Sequence, residues 1–392
     1  MSLGRKRSTR LQSRIAILAM FFINGALLAN WVARIPAIQE NLSLSESALG
    51  LSLIGVSAGV LFALSLAGGL IARYSSRRVT FWAAGMFCLL LPLPALATNV
   101  LTLFAALFFV GGAISMQDMA MNAQAVELER RYARPMINSF HAGFSIGGFV
   151  GALMGAALVR IGFAPLPHFA LVGGLFLIVA FIAKKHLIEI DGETANSESQ
   201  AVFSLPHRAV WPIGAVGFVA AIGEGSMADW TAVYLRSSIG TSAAVAALGF
   251  AAFSLLMTTG RLLGDWITTK IKIVPLVRVG GAVAALGLFL AMSVPSVPLI
   301  LLGFGAVGLG ISIIFPLVFR AVGNLPDVPA GVGLAGVATL GYTGFLAGPP
   351  LIGLVADALS LRIALLGVAL LLGTLIFSAG ALGRTQPVDA AS

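Results

Sequence analysis

A few polar and ionisable residues stand inside long apolar runs, where on insertion scales an unpaired charge costs about 2.5–3.5 kcal/mol. Asp118 and Asn122, close to Gln117, are four residues apart, so a helix puts both on one face. Glu224 lies between two glycines and is followed by Asp229 and Trp230. Asn24, Asn30 and Arg34 share the first apolar run, and Asn30 and Arg34 are again four apart. In such surroundings a carboxylate carries a proton or holds a cation, an amide binds hydroxyls, and an arginine seeks a carboxylate. The pattern nominates Asn24, Asp118, Asn122 and Glu224 for solute binding or proton coupling. If the first and seventh runs face each other, Arg34 meets Glu224 or Asp229, and with Asn30 and Trp230 forms an outer gate. Plainer readings stay open. Asp118 and Asn122 also suit a helix contact or a cytoplasmic gate pair. Arg34 at a helix end also suits snorkelling to head groups, and Trp31 and Trp230 also suit interfacial anchoring.

The elements that must hold these residues are membrane-spanning helices. Of 392 residues 58% are hydrophobic and 10% charged, against roughly 25% charged in a soluble domain. The apolar residues fall in blocks of about 20, the length that crosses a hydrocarbon core of roughly 30 Å. Spans are expected at 15–34, 48–72, 79–97, 101–125, 138–160 and 167–184, then at 209–232, 244–266, 274–293, 298–319, 332–355 and 362–383. One longer polar stretch separates the sixth from the seventh. The expected architecture is all-α and transmembrane, about twelve helices in two pseudo-symmetric six-helix bundles: 1–184, a cytoplasmic linker 185–208, and 209–392. By rise per residue, Asn24 sits roughly 15 Å into the first span, Asp118 roughly 25 Å into the fourth, and Glu224 roughly 22 Å into the seventh.

Basic residues give the orientation. Clusters at Arg5/Lys6/Arg7/Arg10/Arg14, Arg73/Arg77/Arg78, Arg130/Arg131/Arg134, Lys184/Lys185/Arg208 and Lys270/Lys272/Arg278 fall on one side, and Arg34, Arg160, Arg236 and Arg362 on the other. Both termini are therefore expected in the cytoplasm. The net charge of +9 then meets anionic lipid rather than nucleic acid, since no aromatic stacking residues interleave the bases. The basic tail and first apolar run mimic a secretory signal, but the run continues to span length and Ala29-Asn30-Trp31 is a poor cleavage site. Cys88 is the single cysteine, so one chain holds no disulfide and no cysteine-based metal site. There is no phosphate-binding G-x-x-x-x-G-K-[ST] loop, no H-E-x-x-H and no serine elbow, so neither an enzyme nor a cofactor or metal is expected.

The halves echo each other. Ala29-Asn30-Trp31-Val32-Ala33 matches Ala228-Asp229-Trp230-Thr231-Ala232 at an offset of 199, and Ala48-Leu49-Gly50 matches Ala247-Leu248-Gly249 at the same offset. Gly143-Phe144 and Gly147 match Gly344-Phe345 and Gly348 at 201. Parallel six-helix repeats are the plan of a rocking carrier. The ladder Gly143, Gly147, Gly151, Gly155 reads as a smooth stripe for a close helix neighbour.

These features resemble the major facilitator superfamily. Its signature after the second span, a glycine, an acidic residue and closing basic residues, has a counterpart in Gly69-Leu70-Ile71-Ala72-Arg73-Tyr74-Ser75-Ser76-Arg77-Arg78. Arg73 stands where the family usually has aspartate, and Ser76 where it has glycine. The second copy, Gly260-Arg261-Leu262-Leu263-Gly264-Asp265, keeps its aspartate. The resemblance implies a cytoplasmic gate built from Arg73, Arg77, Arg78, Arg261 and Asp265. His141, near the cytoplasmic start of the fifth span and within reach of Asp118 and Asn122, is expected to join it. Trp31-Val32-Ala33-Arg34-Ile35-Pro36, Asp118-Met119-Ala120-Met121-Asn122-Ala123-Gln124, Ser139-Phe140-His141-Ala142-Gly143-Phe144 and Glu224-Gly225-Ser226-Met227-Ala228-Asp229-Trp230 are similar to the fucose-permease-related, MosC-like branch. That implies a monomeric secondary transporter in a bacterial inner (plasma) membrane, with a sugar, polyol or aminocyclitol as solute and protons as a candidate coupling ion. An efflux carrier for metabolites or drugs, and a non-transporting receptor or scaffold, are the competing expectations. The branch's acidic residue in the first span is replaced here by Asn24 and Asn30, so any proton falls to Asp118 or Glu224.

Overall fold

The computed structural model describes residues 3–132, 136–189, 206–326 and 328–383; for residues 3–9, Asn138, Asp265 and Ala330 it describes the backbone alone. Most of the expected linker lies outside the described residues. All regular structure among them is helical. The first half runs α1 (Leu3–Val32), a short helix Ile35–Leu42, α2 (Glu46–Tyr74), α3 (Ser76–Leu90), α4 (Val100–Tyr132), α5 (Ile137–Arg160) and α6 (Pro165–Ala183). The second runs α7 (Trp211–Val233), α8 (Ala243–Lys270), α9 (Ile273–Ser293), α10 (Val297–Ile311) with its continuation Ile314–Gly323, α11 (Ala330–Ala358) and α12 (Leu361–Gly373).

Local chemistry sets many of the ends. Proline opens α6, α7 and α10, in the first turn where its missing N–H is no loss. Ser360 caps α12 by accepting from the Ile363 amide at 3.3 Å. Gly162 closes α5 at φ +87°, a left-handed turn that only glycine adopts without strain. The first expected span differs from the helix found. It breaks at Ala33–Arg34 and resumes as Ile35–Leu42, with Pro36 in the first turn of the new segment. A proline ring there clashes with the carbonyl four residues back and ends the preceding helix.

Among the described residues, eleven helices are long and apolar enough to cross a membrane. The remaining one, α7, falls short in composition because Glu224, Asp229 and several glycines dilute it. Its 23 residues still reach about 34 Å at 1.5 Å per residue, span length.

The chain folds as two compact units. One holds α1, α3–α6, most of α2 and Thr241–Ala251 of α8; the other holds α7, α9–α12, the rest of α8 and Ser45–Gly50. Each repeats one packing plan. α1 lies on α5 as α7 lies on α11, α3 on α4 as α9 on α10, and α3 on α6 as α9 on α12. Large apolar side chains such as Phe377, Leu370 and Leu101 are exposed, as a lipid-facing surface requires. Phe21, Phe87, Phe140 and Phe169 fill the first unit, and Trp230 and Phe304 the second.

Glycine makes the closest contacts. In α5, a Cβ on Gly147 would strike the Phe22 carbonyl of α1, and one on Gly151 would lie 2.5 Å from that of Ala26. Gly25 of α1 meets the Phe144 carbonyl in the same way. In the second unit, Gly280 and Gly310 face each other's backbones across α9 and α10. The expected glycine stripe is thus the α1–α5 seam. Gly147→Leu should cost at least the roughly 1–3 kcal/mol of ordinary overpacking, since backbone rather than a flexible side chain stands in the way. Gly174→Leu, where nothing lies within 4 Å, should melt like the parent. Fluorescence-detected thermal unfolding in detergent compares the two.

Candidate functional site

The first unit carries a buried polar chain where α1 breaks. Arg34 donates from Nε to His168 Nδ1 at 2.6 Å, and from Nη2 to the Phe163 carbonyl at 2.6 Å. His168 Nε2 lies 2.7 Å from Asn30 Oδ1, and Asn30 Nδ2 donates to the Ala26 carbonyl at 2.8 Å. Asn30 and His168 are 0% exposed and Arg34 4%, so these bonds replace water entirely. Within its own unit the guanidinium of Arg34 is thus held by an imidazole and a backbone carbonyl. Sequence reading missed His168. The available signal was a histidine after Pro165-Leu166-Pro167 at the start of an apolar run.

Deeper in the same unit, α1 and α4 exchange amides. Asn24 Nδ2 donates to the Ile114 carbonyl at 3.3 Å, and Gln117 Nε2 to the Met20 carbonyl at 2.9 Å. One N–H of the Asn24 amide is therefore engaged in the helix contact, which leaves its second N–H and its oxygen. One turn along α4, Asn122 Nδ2 donates to the Asp118 carbonyl at 2.9 Å and to its Oδ1 at 3.1 Å. The four-residue spacing does place the two on one face. Asp118 as a whole residue is half-buried.

At the end of the unit that bears the amino terminus, the basic residues find carboxylates. Arg77 pairs with Glu189 at 3.2 Å, and Arg130 and Arg131 hold Glu127 at 2.8 and 2.5 Å. Gln124, fully buried, donates to Ser76 Oγ at 2.6 Å and to the Ile188 carbonyl at 2.7 Å, and accepts from the Ile188 amide at 2.7 Å. Arg73 lies over the Tyr74 ring at 5.3 Å and Arg78 is exposed. His141 stands edge-on to Phe21 of α1 at 5.3 Å.

In the second unit Glu224 of α7 meets Arg261 of α8 at 3.5 Å, each about a quarter exposed. Arg261, expected at a cytoplasmic gate with Asp265, is thus the partner of the candidate coupling carboxylate. The side chain of Asp265 lies outside the described residues. Asp229 is half-buried and receives no hydrogen bond or ion pair among the described residues. Trp230 is fully buried with its Nε1 unbonded, so it is neither a lipid-interface anchor nor an open stacking surface. No cluster of metal-binding type occurs among the described residues.

Twelve helices in two repeated six-helix units, with charged side chains paired inside them, define a multi-pass membrane protein built to hold polar groups at depth. Residues 15–338 match the Major Facilitator Superfamily, and the chain belongs to it. It is a membrane transporter of that superfamily. An uncharacterised MFS-type transporter of Yersinia pestis is 37% identical over 377 residues, covering 96% of both chains. Membrane protein MosC of Rhizobium meliloti is 32% identical over 377 residues, covering 95% of this chain and 92% of MosC. The crystal structure of a D-xylose–proton symporter has a TM-score of 0.70 at 17% identity, covering 96% of this chain and 98% of that one. At that identity the likeness is one of fold.

The Glu224–Arg261 pair yields a thermodynamic expectation. Removing one partner strands a charge among apolar helices, whereas removing both does not. Arg261→Gln alone should lower the melting temperature more than Glu224→Gln with Arg261→Gln, with a coupling energy of about 0.5–3 kcal/mol in a double-mutant cycle. Additive effects would show that the pair is not energetically coupled.

Proposed function

We propose that this transporter is a secondary carrier of a small polyhydroxylated solute (a sugar, polyol or aminocyclitol), working by alternating access and driven by protons. The observation that carries the reading is Glu224 paired with Arg261 at 3.5 Å within two helices of span length. Ionisable groups at such depth are expensive and are kept for ion or solute handling. Asp118 and Glu224 are the proton-bearing carboxylates in this reading. Asn122 and the free oxygen of Asn24 supply hydroxyl-binding amide groups. Resemblance to the fucose-permease-related branch, together with the fold shared with a sugar–proton symporter, favours the solute class. The same reading places the chain in a bacterial inner membrane as a monomer with both termini cytoplasmic. Residues 1–184 and 209–392 are then its bundles and 185–208 the linker between them.

Purified protein in liposomes, offered labelled polyols, amino sugars and cationic dyes in both directions, tests it. A polyol or amino sugar should move, and an imposed pH gradient should accumulate it. Asp118→Asn and Glu224→Gln should abolish accumulation while leaving exchange at equal pH. Accumulation that survives in both variants overturns the coupling assignment, and movement of dyes alone overturns the solute class.

A further inference from the structure

The hydrogen bonds around His168 fix its protonation state. A guanidinium only donates, so His168 Nδ1, at 2.6 Å from Arg34 Nε, presents a lone pair. The imidazole is then neutral with its hydrogen on Nε2, which donates to Asn30 Oδ1 at 2.7 Å. That in turn fixes the Asn30 amide, whose nitrogen donates to the Ala26 carbonyl at 2.8 Å. The one site left for an added proton is Nδ1, the atom that holds Arg34.

A proton there converts an acceptor into a donor facing a donor, and sets imidazolium against guanidinium. The described contacts bring Arg34 and Asn30 to His168 from α1, Gly155 from α5 and the Phe169 ring from its own helix; Arg34 is the one charged group among them. No carboxylate among those contacts offsets the second charge. The Arg34–His168 bond is therefore incompatible with a charged imidazole. What that bond secures is the break between α1 and Ile35–Leu42, since Arg34 also grips the Phe163 carbonyl in the α5–α6 turn at 2.6 Å.

We propose that His168 is the residue through which a proton on the outer face acts on this carrier, its protonation freeing the α1 break from the α5–α6 turn. This rests on the proton-driven reading above for its role in transport, but the release itself is measurable without any solute. Acid favours the released, charged imidazole over the bound neutral one, so the released population should rise about tenfold from pH 7.5 to pH 5.5.

Ile35, fully buried next to the break, supplies a reporter as Ile35→Cys in a Cys88→Ala background. Its maleimide labelling rate in liposomes should rise about tenfold over that pH range, after correction for the reagent's own pH dependence with a free thiol. His168→Gln keeps one acceptor and one donor but takes no proton, and it should make labelling independent of pH. Equal acid response in His168→Gln, or none in the parent, overturns the proposal. If His168→Gln does not fold, 15N shifts of labelled histidine decide the matter in protein where His141, His186 and His207 are replaced by Gln. A doubly protonated minority that grows about tenfold from pH 7.5 to pH 5.5 beside the neutral Nε2–H form supports the proposal, and a minority that stays constant or is absent at both values overturns it. Loss of polyol transport in the parent would sink the transport reading while leaving these two readouts intact.

Discussion

Hydrocarbon offers no hydrogen bond, and that one constraint orders this molecule. It forces the backbone into helices, which satisfy themselves. It then presses polar side chains in a span to find partners inside the protein. Hydroxyls turn back onto their own helix: Ser226 to the Ile222 carbonyl at 2.5 Å, Thr231 to that of Met227 at 2.6 Å, Thr258 to that of Ser254 at 2.7 Å. Amides do either: Asn30 and Asn122 donate to carbonyls of their own helices, while Asn24 and Gln117 cross between α1 and α4. Such crossings need backbones close enough for a short side chain to bridge. Elsewhere in the unit glycine provides that closeness, with Gly25 and Gly147 setting α1 against α5 at carbonyl distance. Tight packing and polar satisfaction are thus two sides of one requirement.

Much of the fold was legible because this constraint acts on long blocks of sequence. Apolar length marks a span, and eleven of the twelve expected spans meet it in the structure. The weakest, α7, is the one diluted by Glu224 and Asp229. The stripe Gly143 to Gly155 was legible as a packing face, and it lies on α1. Partners were much harder to read. A helix shows which residues share a face, as with Asp118 and Asn122, but its rotation against a distant helix depends on packing summed along its whole length. Nothing local in the first span points to His168, 134 residues away. Likewise nothing local in the seventh span points to Arg261 of α8 as the partner of Glu224, 37 residues away.

The two units share a plan but not a chemistry. Positions 199 apart put Asn30 opposite Asp229 in the repeat, and Trp31 opposite Trp230. Asn30 belongs to a fully bonded chain with His168 and Arg34, whereas Asp229 has no partner among the described residues. Trp31 packs near Phe169 at 6.4 Å between ring centres, while Trp230 is buried with its N–H unbonded. A buried donor left unpaired costs about 1–3 kcal/mol. Backbone packing is held equal by the glycine and alanine contacts. The polar positions, which contribute little to that packing, are the ones free to diverge.

The loop after α2 shows how far such divergence goes without loss of the underlying physics. The superfamily's usual aspartate and glycine are Arg73 and Ser76 here, which leaves the loop with three arginines and no carboxylate of its own. Of the three, Arg77 meets a carboxylate from another element, and the arginines at the end of α4 meet one of their own helix. Glu189, beyond α6, takes Arg77 at 3.2 Å, and its backbone carbonyl takes Arg131 at 2.9 Å. Glu127, on α4, holds Arg130 and Arg131. Serine in place of glycine also acquires a purpose, since its hydroxyl accepts from Gln124, whose amide pairs both ways with the Ile188 backbone. Residues 188–189 are thereby tied to the ends of α3 and α4 by side chains that replace the lost loop carboxylate. What this end of the bundle retains is compensation of its arginines. Glu127 and Glu189 supply it from far outside the loop, because the fold returns both to the same end.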